Sequence, residues 1–262
     1  MKFLEKILVA CVLIGAAGFG TSQAVASDAK QLKLLETAEA IEFVSQSIPK
    51  AYFYRGKGIR AAVAKKEIDQ DMSVLRKSIK SLGGMNLSSE ERNILSFFKF
   101  TLSDLESVIT EPFSLENGAL IIDLGESLLE GAELIVSKHR DAANDAENML
   151  LLIERMELLL ERVNKYYISH YSGLRDEVNV TQVRAAVVEF ETGLAELSKN
   201  KGYHATQASS VRKINEFWPI AEQFYVGIEQ GTLPVIVLAS TSSLEKELDN
   251  LKEFYFKKAL RK

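Results

Sequence analysis

From Ala119 to His170 the residues Ile121, Leu124, Leu128, Ala132, Ile135, His139, Ala142, Ala146, Met149, Ile153, Met156, Leu160, Val163 and Tyr167, all but His139 of apolar character, recur in steps of three and four. That spacing keeps side chains on one helical face. No proline interrupts the run, so the pattern predicts a single central helix, which at about 1.5 Å per residue would reach roughly 78 Å. Such a helix would join two packed units. Its stripe reads first as core packing of a coiled-coil-like seam. The polar and alanine-rich stretch Ser137–Asn148 leaves open a break within it.

The same periodicity runs from Asp28 to Tyr54 through Leu32, Leu35, Ala38, Ile41, Val44, Ile48 and Tyr52, with Pro49 inside it as a candidate kink. Arg55-Gly56-Lys57-Gly58 reads as a corner. A second helix is predicted from Ile59 to Leu82, ended by Gly83-Gly84. Ser88 or Ser89 followed by Glu90-Glu91 caps a third, running to about Ile109. Sliding the chain against itself by 115 residues matches Glu39 with Glu154, Glu42 with Glu157, Lys50 with Lys165, Tyr52 with Tyr167 and Arg60 with Arg175. At that offset Leu75, Ile79 and Leu82 fall on Phe190, Leu194 and Leu197, and the run from Ala119 to Glu130 falls on Pro234 to Glu245. A tandem duplication accounts for the match, against the alternative that any two amphipathic helices can be slid into partial agreement. The second set of helices is then predicted up to His170, over Val180–Leu197, Gln207–Gln230 and Leu233–Lys258. The expected fold class is all-α: two tandem four-helix bundles sharing a long central helix, with modules at 27–142 and 143–262.

Composition changes this picture only at the N-terminus. Lys2 and Lys6 precede a 14-residue apolar run, Ile7–Gly20, and Ala24-Val25-Ala26 supplies small residues before Ser27, the layout of a secretory signal peptide over residues 1–26. The run is shorter than the roughly 20 residues a membrane span needs. Leu8-Val9-Ala10-Cys11 is a competing lipoprotein-type box, but processing there would leave Val12–Gly20 exposed. An uncleaved anchor is the other alternative. Cys11 is the only cysteine, so a chain cleaved after Ala26 has no thiol chemistry. Cleavage removes Lys2, Glu5 and Lys6, so 32 basic and 36 acidic residues become 30 and 35. Bulk attraction to nucleic acid is not expected. The expected compartment is the periplasm.

Lys-x-Tyr, then Phe-x-x-x-Leu-x-x-Leu, a tryptophan-bearing helix and an apolar helix follow one another in the second copy as RMELLLERVNKYY from Arg155, FETGLAEL from Phe190 and INEFWPIAEQF from Ile214. This order resembles the PilJ-type N-terminal sensory module of type IV pilus methyl-accepting chemotaxis transducers, itself similar to the four-helix nitrate/nitrite sensor domain of histidine kinases. The resemblance covers nearly all of the chain after residue 26, as two copies, and implies four-helix sensory bundles. The first-helix motif of that family, like A-G-R-Q-R-M-L-S-Q-R, is kept here only as Ser45-Gln46 and Lys50 in the first copy and as Arg155 and Arg162 in the second. Its middle arginine, associated with the anion in nitrate sensors, is replaced by Glu42 and Glu157. A carboxylate there repels an anion, so nitrate binding is not carried over.

Arg155, Arg162 and Lys165 form the best candidate ligand site, because forked and point-charge donors on one helix suit a small anion or organic acid. The competing reading pairs them along their own helix with Glu154, Glu157 and Glu161. Ser45, Gln46 and Lys50 form a second polar set, or else a solvated kink beside Pro49. His139, His170 and His204 are too scattered for a metal pattern, so no metal or other cofactor is expected, and no nucleophile has a base near it in sequence, so the chain is not expected to be an enzyme. Trp218, Phe217, Phe224 and Tyr225 are expected to fill the second core. The functional expectation is a secreted, non-catalytic sensory or ligand-binding module that passes its signal by contact with a membrane sensor or pilus-associated protein. The alternative is a structural or adaptor protein with no small ligand. A homodimer is compatible with either.

Overall fold

Eight helices and no strand make up the described residues, 22–140, 145–175, 177–200, 203, 205–230 and 233–259, of a computed structural model. In order they are α1 (Ser22–Gly56), α2 (Ala61–Gly83), α3 (Ser89–Val108), α4 (Leu115–His139), α5 (Asp145–Ser172), α6 (Glu177–Lys199), α7 (Ala205–Val226) and α8 (Pro234–Ala259). The all-α class read from the sequence therefore holds. Leu34–Lys262 is one compact unit, and Ser22–Lys33 is the described part of the other. The proposed signal peptide lies mostly outside the described residues, as do His204 and the proposed module boundary between 142 and 143. No described helix is long and apolar enough to cross a membrane.

The single central helix is the main correction. α4 stops at His139, Arg140 turns extended (φ −63°, ψ 129°), and α5 starts afresh at Asp145. Lys138 and His139 occupy the last turn, where a cation such as Lys138 suits the helix dipole. They also reach the start of α3, Lys138 to Glu90 at 3.0 Å and His139 Nε2 to Glu91 Oε1 at 2.5 Å. These contacts tie the end of α4 to the start of α3. Glu91 is itself buried, which pushes its carboxyl up, but the bonds from His139 and Ser88 together overcome this and hold it at about 2.

The start of α3 follows its sequence signature. Ser88 Oγ accepts from the Glu91 amide at 3.3 Å, and the Glu91 carboxylate accepts from the Ser88 amide at 2.7 Å, a reciprocal capping box. Ser88→Ala is expected to cost about 1 kcal/mol. Urea unfolding checks this, and an unchanged midpoint would mean that the box is energetically idle.

α5 packs against both α6 and α8, and α7 against α6 and α8, closing a ring of four; α3 lies between α2 and α4. Trp218 stacks on Phe190 with centroids 4.1 Å apart, and Tyr225 is fully buried beside it, while Phe217 and Phe224 are only partly covered. Tyr52 and Phe53 of α1 form a second aromatic cluster with Phe113, which precedes α4.

The 115-residue correspondence has a sharper form in three dimensions. Gly58 and Gly173, the two described glycines with positive φ, are 115 apart and follow the ends of α1 and α5. Tyr52 OH accepts from the Ser114 amide and Tyr167 OH from the Leu233 amide, each immediately before the last helix of its set. For that last helix the offset changes. Buried Ile121, Ile122, Gly125, Leu129 and Ala132 of α4 match buried Ser240, Thr241, Leu244, Leu248 and Leu251 of α8 at 119, not 115. The slip is about one turn, which preserves periodicity and so hides in a sequence comparison. Its source is visible: α7 has 22 residues against 20 in α3, and the connection that follows is one residue longer.

Candidate functional site

The polar residues that the sequence singles out gather where α1 faces α5. Contacts between these helices all pair residues 110 to 119 apart in the chain: Glu39 meets Glu154, Gln46 meets Lys165, Lys50 meets Glu161 and Tyr54 meets Asn164. The two helices therefore run in the same direction and nearly in register. Gln46 and Glu161 are 115 residues apart, as are Lys50 and Lys165, so the two lysine contacts are reciprocal: each lysine reaches the residue one turn before the other. Reciprocal contacts of this kind are what a two-fold relation between similar surfaces produces.

Lys50 and Lys165 are both almost wholly buried, but their surroundings differ. Lys50 Nζ lies 2.6 Å from Glu161 and 2.7 Å from Glu67 of α2, with Glu245 of α8 also acting on it. Burial opposes its charge, yet these three carboxylates outweigh it and hold Lys50 well above the ordinary lysine value. Lys165 donates to Gln46 Oε1 at 2.6 Å and to Glu126 of α4, and its Nζ stands 4.0 Å from the Tyr166 ring centroid. Here burial prevails over Glu126 and pushes Lys165 down to about 8. Glu126 is shared, because Arg162 also reaches it at 3.1 Å while donating to Gln182 at 3.0 Å.

Of the six candidates, then, Gln46, Arg162 and Lys165 converge around Glu126, and Ser45 joins through the Gln46 amide, which donates to Ser45 Oγ at 3.1 Å. Lys50 is one layer further along α1. Arg155 stands apart, bonded at 2.7 Å to Glu133 of α4 and at 2.7 Å to Glu189 of α6. The pairing along α5 with Glu154, Glu157 and Glu161 is corrected: the cations take carboxylates from other helices. Glu154 and Glu157 go instead to Lys252 of α8, and Glu161 to Lys50. Nor is there a solvated kink beside Pro49, since Ser45, Gln46 and Lys50 are buried and α1 continues through the proline.

Glu126, Glu245 and Lys252 were not anticipated. Glu126 and Glu245 are 119 residues apart and hold equivalent places on α4 and α8, each acting on the lysine of the facing set. A carboxylate amid an apolar run was the available signal, but the 115-residue alignment set Glu245 against Glu130 and hid the pair.

Two open surface grooves occur among the described residues, one between α7 and α8 lined by Lys213, Phe217, Ile220 and Glu247, the other by Arg55, Lys65, Asp69 and Phe113. Neither contains a candidate residue. No group of three or more His, Cys, Asp or Glu able to hold a metal ion occurs among the described residues. No protein-family model matches the chain, and no curated protein or solved structure does either.

Proposed function

We propose that this chain is a non-catalytic sensory module of two duplicated four-helix bundles, resembling the PilJ-type module, and that it signals through the seam between α1 and α5. The observation that carries this reading is the reciprocal pair of buried lysines. A seam stitched by ion pairs gains little net stability over an apolar one, because desolvation offsets much of the attraction. Two arrangements of such a seam lie closer in free energy than two packings of an apolar core. A ligand or partner that prefers one of them shifts the population. The module acts in the periplasm after cleavage at Ala26 and passes its signal by contact with a membrane sensor or pilus-associated protein.

A thermal-shift screen of the purified chain against small anions, amino acids and organic acids, nitrate and nitrite included, tests the ligand arm. A ligand at a hundred times its Kd stabilises by about 2.7 kcal/mol, and the shift is expected to vanish in Arg162→Ala, the least buried cation of the Glu126 cluster. Silence across the screen from a folded protein supports the adaptor reading. One observation already favours that second reading: Arg155, Arg162, Lys165 and Lys50 all donate to the protein's own carboxylates, and none lines either of the two grooves described above. An adaptor would ignore the compounds and co-purify with its partner.

A further inference from the structure

Arg55, in the last turn of α1, lines a groove together with Lys65, Ile68 and Asp69 of α2 and the connection from Ile109 to Phe113 between α3 and α4. Ile68 and Ile109 are buried and Phe113 is partly covered, so the floor is apolar. Phe113 lies against the backbone of Gly56, where a Cβ would overlap its ring. The ring packs on Tyr52 and Phe53 at centroid separations of 5.4 and 6.0 Å, which fixes the floor in place. The groove holds about 520 Å³, the size of a small-molecule site.

Four charged side chains border that floor. Lys65 and Asp69 are exposed and pair with each other at 2.7 Å, one turn apart on α2. The other two are uncommitted. The half-buried Arg55 guanidinium donates to the Ile109 carbonyl at 3.1 Å and stands 5.3 Å from the Tyr52 ring centroid. Glu111 accepts from the Asn117 side-chain amide at 3.1 Å. Neither joins an ion pair among the described residues. Arg55 bonds a carbonyl two residues before Glu111, which keeps the two charges close. A guanidinium with donors to spare matches a carboxylate, and a spare carboxylate matches an ammonium. Two cations and two anions leave the groove neutral, so nothing in it favours a ligand of net charge over a zwitterion.

The second set builds the same corner, with Gly173 keeping the positive φ of Gly58, yet it has His170 in place of Arg55 and Tyr171 in place of Gly56. The corner itself therefore requires neither the guanidinium nor the bare backbone under Phe113. We propose that this groove is a binding site for an apolar α-amino acid, with Arg55 holding the carboxylate, Glu111 the ammonium, and Ile68, Ile109 and Phe113 the side chain. The site rests on the groove alone and does not depend on signalling through the α1–α5 seam.

Isothermal titration of the full chain with L-leucine, L-valine and L-phenylalanine is the test, and at least one of them is expected to bind. Its N-acetyl derivative, which has no ammonium, and its amide, which has no carboxylate, are each expected to bind about tenfold or more weakly, the worth of a hydrogen bond to a charged group. Arg55→Gln, which can still donate to the Ile109 carbonyl, and Glu111→Gln are expected to weaken binding by a like factor. Arg162→Ala is expected to leave it unchanged. Failure of all three amino acids to bind overturns the proposal, as does a derivative that binds as tightly as its parent. Both outcomes are read on the parent protein, so they stand even if Arg55→Gln does not fold. Binding lost in Arg162→Ala and intact in Arg55→Gln would place the ligand at the Glu126 cluster and overturn the proposal as well.

Discussion

Lys50→Met is expected to cost the fold about 3–5 kcal/mol, the usual penalty for leaving one half of a buried ion pair behind. For a protein of this size that is roughly 6–20 °C in Tm. Lys165→Met, at the equivalent place on α5, is expected to cost markedly less. The difference follows from what each lysine faces. Lys50 neutralises Glu161 and Glu67 directly and Glu245 beyond them, so its loss leaves three acids near one another. Lys165 has a single carboxylate partner, Glu126, which keeps Arg162 when the lysine is removed. The opposite displacements of the two ammonium groups say the same thing. Lys50 lies well above its ordinary value, so its contribution is present below the unfolded lysine value and lost above the folded one. Lys165 is pushed down to about 8, so it costs stability below pH 8, and that cost is relieved as pH rises from 8 toward the unfolded value. Adding Glu161→Met to Lys50→Met is expected to recover part of the loss, and a double-mutant cycle reads the coupling. Equal costs for Lys50→Met and Lys165→Met would show that the two lysines are not differently surrounded.

How far the sequence reached depends on the kind of signal. Local chemistry was readable: the Ser88–Glu91 box, the glycine after α2 and the tryptophan helix all act within a few residues of themselves. The all-α class and the helices other than the central one also followed, because periodicity is a property of each element alone. The end of α4 did not. Apolar spacing runs through Ser137–Asn148 with alanine at the right intervals, whereas the last turn of α4 is tied by Lys138 and His139 to Glu90 and Glu91, nearly fifty residues away. The one-turn slip of α8 was invisible for a related reason, since a shift of four residues leaves an amphipathic face almost unchanged. Lys50 and Lys165 stood out as a repeated pair, but their partners did not. A glutamate at helical spacing reads as a solvated face, and only the packing of α1 on α5 and α8 turns Glu161 and Glu245 inward.

Gly125→Ala is the second large effect, and it arises from Pro49. Proline has no amide hydrogen, so the Ser45 carbonyl one turn earlier on α1 loses its helical donor. α4 approaches at that point through a residue without a side chain. A Cβ on Gly125 would lie 2.4 Å from the Ser45 carbonyl oxygen and 3.1 Å from Pro49 Cγ. The wall is backbone, so α4 must move away from α1. That overpacking costs about 1–3 kcal/mol, at least as much as the ~1 kcal/mol that alanine gains over glycine inside a helix. Gly193 of α6 is the control. Its Cβ would meet the Met156 side chain at 3.0 Å, and a methionine can turn aside. Gly193→Ala is therefore expected to be neutral or stabilising by up to ~1 kcal/mol. Urea unfolding of both variants checks the contrast, and a Gly125→Ala protein as stable as Gly193→Ala would mean that α4 does not rest on the freed carbonyl. The displacement also has a specific consequence for the seam. Glu126 is the next residue, and moving α4 outward draws it from Lys165 and Arg162, so Gly125→Ala and Glu126→Gln are expected to cost less together than the sum of their separate effects.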